Sequence, residues 1–572
     1  MTIPSTPNDY YKGFSDFQDN VSGAGEAFVK ASLDTARQNH NYWLGVPAYM
    51  NDMLFSFWNS YFAGAKLEQA KSECAGETVL NAMQALQTYS LGAMTYMNDF
   101  MYPYWTAASS FTEREKEKLG KTPPLETMLD YLELLQFNFQ VAEKGLTSAL
   151  KSMDSYYRRQ TEKVFMAGLN SFFDRNGENL NEYSSRQAKL MELLVYEYPK
   201  AIKAIKSVYG FHFDDGGYIK AAETERFLLY QVLPRNKKVK VRKSGKPVII
   251  IPPYVLGPNI LAFLPDEQKS YVHAFANQGI PTYIRIMKDI DVTPAVQTMT
   301  GEDDARDTRF FCTKVKAAHG RPVTLNGFCQ GGFMAVLDIL SGELDGLVDA
   351  LITCVAPMDG TRSVALVEYM QHLPPRFRDL GYAVKELPNG NQVVDGKVMS
   401  WVYKLKSMEK EFSMVTLHRD LMNLEGPDGK EIMISSTAAA MNHWLIYDRN
   451  DLPEGITKIS FDSYTIPVDK DGTIPVKLFG RTLNFKGIEE KGISWLLCYA
   501  DKDDLVDKAS AMAPVDFARV EVTVFPKGHG AIATSWSHPD TECALHKRFG
   551  SYRGPVRFQL DLEENNRHHR SS

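Results

Sequence analysis

The stretch LNGFCQGGF, residues 325–333, sets Cys329 among glycines at 327, 331 and 332. Just before it, PVTLNGF is an apolar run that reads as a buried strand, and a helical pattern begins at Gln330. A strand that turns sharply into a helix lifts the residue at the bend above the sheet, and its neighbours must lack Cβ atoms to avoid collision. The helix also aims free amides and the positive end of its dipole at that residue, which favours a thiolate and later an oxyanion.

Two partners follow downstream. CYADKDDLVDKA comes after a late strand and offers Asp501, Asp503, Asp504 and Asp507, and FPKGHGAI comes after the next strand and offers His529. Nucleophile, acid, histidine is the chain order of the α/β-hydrolase triad. Asp504 is taken as the acid because it lies a few residues past the strand end, with Asp503 the nearest competitor. Asp359, after ALITCVAP, is either another orienter or a loop cap. His529 stands between two glycines, where a core histidine is uncommon, and is read as the base. The oxyanion donors expected are the backbone amides of Gln330 and of a residue near Tyr254–Val255 in PPYVLGPN, taken as Val255.

A thiol at this position suits one kind of reaction. Transfer of an acyl group from a thioester to cysteine is nearly isoenergetic and keeps the acyl group activated for a second acceptor, whereas serine would form an ordinary ester. Acyl transfer to an alcohol beneath a water-excluding cap follows from that chemistry.

The elements needed to position these groups are legible in the pattern. From Val248 strands and helices alternate: VIII, then Asp266–Gln278, PTYIRI, Glu302–Ala318, PVTLNGF, a helix from Gln330, and ALITCVAP. Strands buried on both faces read as unbroken apolar runs, so a parallel sheet with helices on both sides is expected. Residues 360–492 interrupt the rhythm and are read as a cap inserted over the sheet's carboxyl edge, with DKDGT as a turn between short strands. The rhythm resumes at ISWLLCYA and VEVTVF, followed by a helix near Thr541–Phe549.

Residues 1–230 are read as a helical N-terminal domain and 231–572 as the catalytic domain. Met128, Tyr131, Leu132, Leu135 and Phe139 recur at helical spacing. YMNDMLFSFW (49–58) and YMNDFMYPYW (96–105) form a weak internal repeat. Its aromatics are either helix faces packed together or across a dimer, or a surface that docks on a hydrophobic body. The basic run RNKKVKVRKSGK is read as a solvated edge strand. The tail EENNRHHRSS is expected to be disordered.

Composition bounds the rest. With a net charge of -6 the 572-residue chain has no basic excess for nucleic acid. Six scattered cysteines fit a reducing cytosol. The N-terminus lacks the features of a signal peptide, and neither Val248–Leu264 nor Tyr42–Ala65 makes a clean membrane span. There is no metal-binding spacing, P-loop or dinucleotide fingerprint.

Taken together, IIPPYVLGPNIL, GFCQGG, the strand ending in Asp359, WLIYDRNDLP at 444–453, and the late aspartate and histidine resemble the polyhydroxyalkanoate synthases over most of residues 225–550. The resemblance implies an α/β-hydrolase fold with a large cap, preceded by a helical domain. It also implies that Cys329 carries a growing hydroxyacyl chain, that His529 activates the cysteine and the incoming hydroxyl, and that Asp504 supports His529. The substrates would be 3-hydroxyacyl-coenzyme A thioesters and the product a polyester, with no cofactor beyond the coenzyme A of the substrate. The location would be cytoplasmic, on polyester granules; a homodimer is the assembly that the aromatic repeat allows. Asp448 and Asn450 match the family stretch and are read as structural caps. The chain departs from the family at LVDKA, at the glycine after His529 and at PPYVLGPN. The alternatives are a cysteine esterase or thioesterase similar to dienelactone hydrolase, and a granule-associated scaffold without catalysis.

Overall fold

The computed structural model describes residues 73–118, 121–173, 175–373, 375–399, 406–426, 432–541, 544–545 and 553–568. The first copy of the aromatic repeat, Tyr42–Ala65 and most of the helix expected near Thr541–Phe549 lie outside them. The chain divides into two compact units. One ends at Ala201 and takes in Leu373–Tyr382 and Trp401–Ser435, and the other comprises Ile202–His372, Ala383–Ser400 and everything from Ser436 onward.

The first unit is helical: α1 (Glu73–Lys118), α2 (Pro124–Phe173) and α3 (Leu180–Glu192). Asn179 starts α3 with a capping box, its side chain accepting from the Glu182 amide while Glu182 reaches back to the cap. From the inserted segments, residues 413–424 add a helix whose His418 meets the Tyr89 hydroxyl at 3.1 Å. Just beyond it, Glu425 is held by Lys163 at 2.8 Å and Arg186 at 2.9 Å. The second copy of the aromatic repeat lies in α1, where Tyr96 donates to Asp420 at 2.8 Å and Phe100 packs on Phe412.

In the second unit eight strands form one sheet: β1 (Tyr218–Glu223), β2 (Phe227–Val232), β3 (Val248–Ile251), β4 (Thr282–Met287), β5 (Val323–Phe328), β6 (Val348–Cys354), β7 (Ser494–Ala500) and β8 (Glu521–Phe525). Their order is β1-β2-β4-β3-β5-β6-β7-β8. β2 runs antiparallel to both β1 and β4, and all other pairs are parallel. Every residue of β3 and β5 is buried, as the unbroken apolar runs require. Helices α4 (Gly301–His319) and α5 (Gln330–Leu340) follow β4 and β5. This strand order, with a sharp strand-to-helix turn after β5, is the α/β-hydrolase fold.

Several expectations need correction. The boundary placed near residue 230 falls inside the sheet, because β1 and β2 pair before it and extend the sheet's edge. The basic run 235–246 forms turns rather than a strand, and Lys246 is buried against Asp349. DKDGT leads into the hairpin Thr473–Leu478/Arg481–Asn484, whose turn is at Phe479–Gly480. The 360–492 block is shared between the two units, with 373–382 and 401–435 going to the helical one. Residues through His568 of the tail are helical, in Pro555–His568. Among the described residues no helix is long and apolar enough to cross a membrane.

Candidate active site

Cys329 sits at the end of β5 with φ 53° and ψ −126°, a conformation L-residues rarely adopt. Its amide donates to the Cys354 carbonyl at 2.8 Å, and its carbonyl accepts from the Gly332 amide at 2.9 Å, so the bend is locked from both sides. The glycines are required by close backbone approach. A Cβ on Gly331 would meet the carbonyl oxygens of Ile251 and Pro252 at 2.3 and 2.5 Å, and one on Gly327 would meet Gly332 Cα at 2.3 Å. A second strained residue, Val355 at φ 47°, follows β6. Such strain persists only where surrounding packing holds it, and it concentrates at functional sites.

His529 lies in the loop after β8, and its Nδ1 meets Asp503 Oδ2 at 2.8 Å. The carboxylate that meets His529 is therefore Asp503 and not the expected Asp504. Asp503 Oδ1 accepts the amides of Leu505 and Val506, both at 2.9 Å, which turns the carboxylate inward while Asp504 is left exposed. The physical reason is the turn: burying Val506 fixes which of the two adjacent aspartates points toward the sheet's carboxyl edge. The two loops are tied by backbone bonds from Asp501 to Phe525 and from Lys502 to Lys527, which set the histidine opposite its acid.

Burial pushes the imidazole's pKa down, but the charges of Asp503 and Cys329 outweigh that and hold it well above the usual histidine value. His529 Nε2 has no hydrogen-bond partner of good geometry. The Cys329 thiol is nonetheless near enough to act on the ring electrostatically, a looser contact than a formed hydrogen bond. Asp359 caps its own turn, accepting from Thr361 and pairing with Arg362 at 3.1 Å, so it takes no part in orienting His529.

The two expected oxyanion donors are adjacent, but Val255 is engaged. The Gln330 side-chain oxygen accepts from both the Tyr254 and Val255 amides at 3.3 Å, while its Nε2 donates to Ser460 in the cap helix Glu454–Thr465. Trp444, in the helix Ser436–Tyr447, donates to the Leu256 carbonyl at 3.0 Å. Cap and oxyanion loop are thus joined twice, and Cys329 is 8% exposed. Asp448 accepts the Tyr209 hydroxyl at 2.7 Å, a structural tie away from the thiol.

Sequence reasoning overlooked the support beneath this loop. Arg285 on β4 donates to the Tyr254 hydroxyl at 2.9 Å and pairs with Asp304 at 2.9 Å, and Tyr254 also bonds Asp304. Nearby Asp338 is fully buried, and its carboxyl is pushed well up, first by burial and then by the charge of Asp304. The signal was present: Arg285 in PTYIRI and Asp338 in AVLDIL are lone charges inside apolar runs, which fold only if their partners are buried with them. Among the described residues no group of three or more His, Cys, Asp or Glu is placed to hold a metal ion.

No family model matches this chain, and no curated protein matches it. Solved structures do. One, titled for carboxylesterases of Nitrososphaera gargenis, has a TM-score of 0.32 and 13% identity, covering 55% of this chain and 92% of that one. An esterase domain from a Rhodothermus marinus protein gives 0.29 and 12%, with 61% and 96% covered. A meta-cleavage product hydrolase from Pseudomonas fluorescens gives 0.28 and 14%, with 55% and 91% covered.

Proposed function

We propose that the chain is an acyltransferase that accepts an acyl group from a coenzyme A thioester on Cys329 and passes it to a hydroxyl, building a polyester from 3-hydroxyacyl units. In the first half, the thiolate attacks the thioester carbonyl, and the oxyanion is held by the Gln330 amide and by the Tyr254–Val255 amides once the Gln330 side chain gives way to it. The C–S bond to coenzyme A breaks, and the proton on His529 goes to the departing sulfur. In the second half His529 takes the proton of the incoming hydroxyl, the alkoxide attacks the acyl-cysteine, and the thiolate leaves. Asp503 holds the imidazole tautomer throughout.

The observation that carries this reading is a cysteine, not a serine, on a strained elbow opposite a histidine–aspartate pair and roofed by cap contacts through Gln330 and Trp444. A closed roof disfavours water as the acceptor. The substrate class rests on the resemblance of GFCQGG and its companions to the polyhydroxyalkanoate synthases, as do the proposed cytoplasmic location and granule association. Hydrolysis is the second reading, because His529 would activate a water as readily as an alcohol if the cap opens.

Incubating the protein with 3-hydroxybutyryl-coenzyme A and following free thiol with turbidity separates these. Thiol with insoluble polymer is expected. Thiol with free 3-hydroxy acid instead would establish a thioesterase, and release of neither, after longer-chain donors are tried, would leave a scaffold.

A further inference from the structure

We propose that α2 of the helical unit forms an antiparallel two-stranded coiled coil with a second copy of this chain. The helix packs within its own unit on one stripe, which includes the buried Phe137, Ala149 and Tyr156. Beside that stripe runs another, apolar and exposed. Leu125, Leu132, Phe139 and Leu146 fall seven residues apart, and Leu129, Leu150, Tyr157 and Val164 occupy a second column offset by four and three. Phe139 is 65% exposed and Leu150 61%.

Scattered exposed leucines need no explanation, but two columns offset by four and three, one running from Leu125 to Leu146 and the other from Leu129 to Val164, do. A 3.5-residue repeat keeps to one side of a helix only if the helix supercoils about another, and that repeat is the signature of a two-stranded seam. Gln136 and Glu143 interrupt the second column, and beyond Leu146 the register of the first falls on half-buried Met153 and on Gln160, which is buried within its own unit. Polar residues at such positions set register at some cost in stability. Eight apolar side chains exposed by about half present on the order of 800 Å2, about what one partner contributes to an interface of standard size.

Charge selects the occupant and its direction. Residues 124–143 carry four carboxylates and no lysine or arginine, whereas residues 144–163 carry five cations against two carboxylates. Parallel copies would set acid against acid and base against base. Antiparallel copies, related by a two-fold axis near residues 144–145, set the acidic half of each against the basic half of the other and close as an isologous dimer.

The test is sedimentation of the full chain at micromolar concentration, with Leu132→Glu/Leu146→Glu as the seam variant and far-UV circular dichroism to confirm that its helices persist. A dimer is expected, with its Kd raised at least ~100-fold by the double substitution. Direction is read independently of those charges by oxidative cross-linking beside the parent chain. Leu125→Cys combined with Val164→Cys should give covalent dimers, and Leu125→Cys alone should not. Cross-linking by Leu125→Cys alone would overturn the antiparallel arrangement. A monomeric parent chain would overturn the proposal, whether the stripe then proves to bind polyester or lipid surfaces or to be covered by residues 1–72.

Discussion

In the α/β unit β3 and β5 lie wholly inside, while α2 of the helical unit leaves Phe139 and Leu150 more than half exposed along a regular stripe. Both regions are rich in apolar residues, and the difference lies in what covers them. A strand between two helix layers finds both its covers within the same fold. A 50-residue helix reaches some 75 Å and packs one stripe against its own unit, so a second stripe needs a cover from elsewhere. The charged groups differ in the same sense. The α/β unit buries charged side chains against partners, as in His529–Asp503, Arg285–Asp304 and Lys246–Asp349, whereas α2 keeps most of its charges in water.

If that contrast is right, chemistry and assembly separate by unit. The largest effect belongs to Cys329→Ala, expected to lower coenzyme A release by roughly 10^5-fold or more while the sedimentation profile stays that of the parent. Loss of assembly in this variant would break the contrast.

Next comes the aspartate pair. Asp503→Asn should cost about 10^3- to 10^4-fold in turnover, and Asp504→Asn less than about 3-fold. The same pair sharpens the electrostatic account. Because the folded pKa of His529 is raised, the protonated ring's contribution to stability is complete below its ordinary value near 6.5 and fades as pH rises through the folded value. The stability of the parent should therefore fall, relative to that of Asp503→Asn, as pH rises above about 6.5, read from denaturant midpoints. Parallel profiles in the two proteins would contradict the ion pair.

Gly331→Ala should destabilise the α/β unit by about 3 kcal/mol or more, since two backbone carbonyls lie where its methyl must go, and the loss should appear in that unit's denaturant transition. In the helical unit, Asn179→Ala should cost about 1 kcal/mol by removing the capping box of α3. Smallest of all, Leu132→Glu should alter the stability of the isolated monomer by less than about 0.5 kcal/mol, because an exposed side chain contributes little to the fold that bears it. A large loss there would show that the stripe is internal and not an interface.

Much of this arrangement was legible before any coordinates. The largely apolar runs at 248, 282, 323, 348, 494 and 521 are strands, and all but the edge strand at 521 are mostly buried. Cys329 and His529 stood out because glycines flank them where ordinary core residues need none. Less legible were β1, which is mostly exposed and carries Lys220 and Glu223, β2, whose apolar run is short and broken at Gln231, and the Arg285–Asp304–Asp338 cluster, whose members lie 19 and 34 residues apart along the chain.

By itself the sequence determined the fold class and the sharp bend at Cys329, because periodicity and glycine placement are local properties of the backbone. Only the tertiary structure decided that Asp503 turns inward and Asp504 outward, that Gln330 occupies the Val255 amide, and that the stripe on α2 is exposed among the described residues. Each of those depends on which side chain reaches a partner distant in the chain, and neighbouring residues of the same type cannot be told apart until packing fixes their directions.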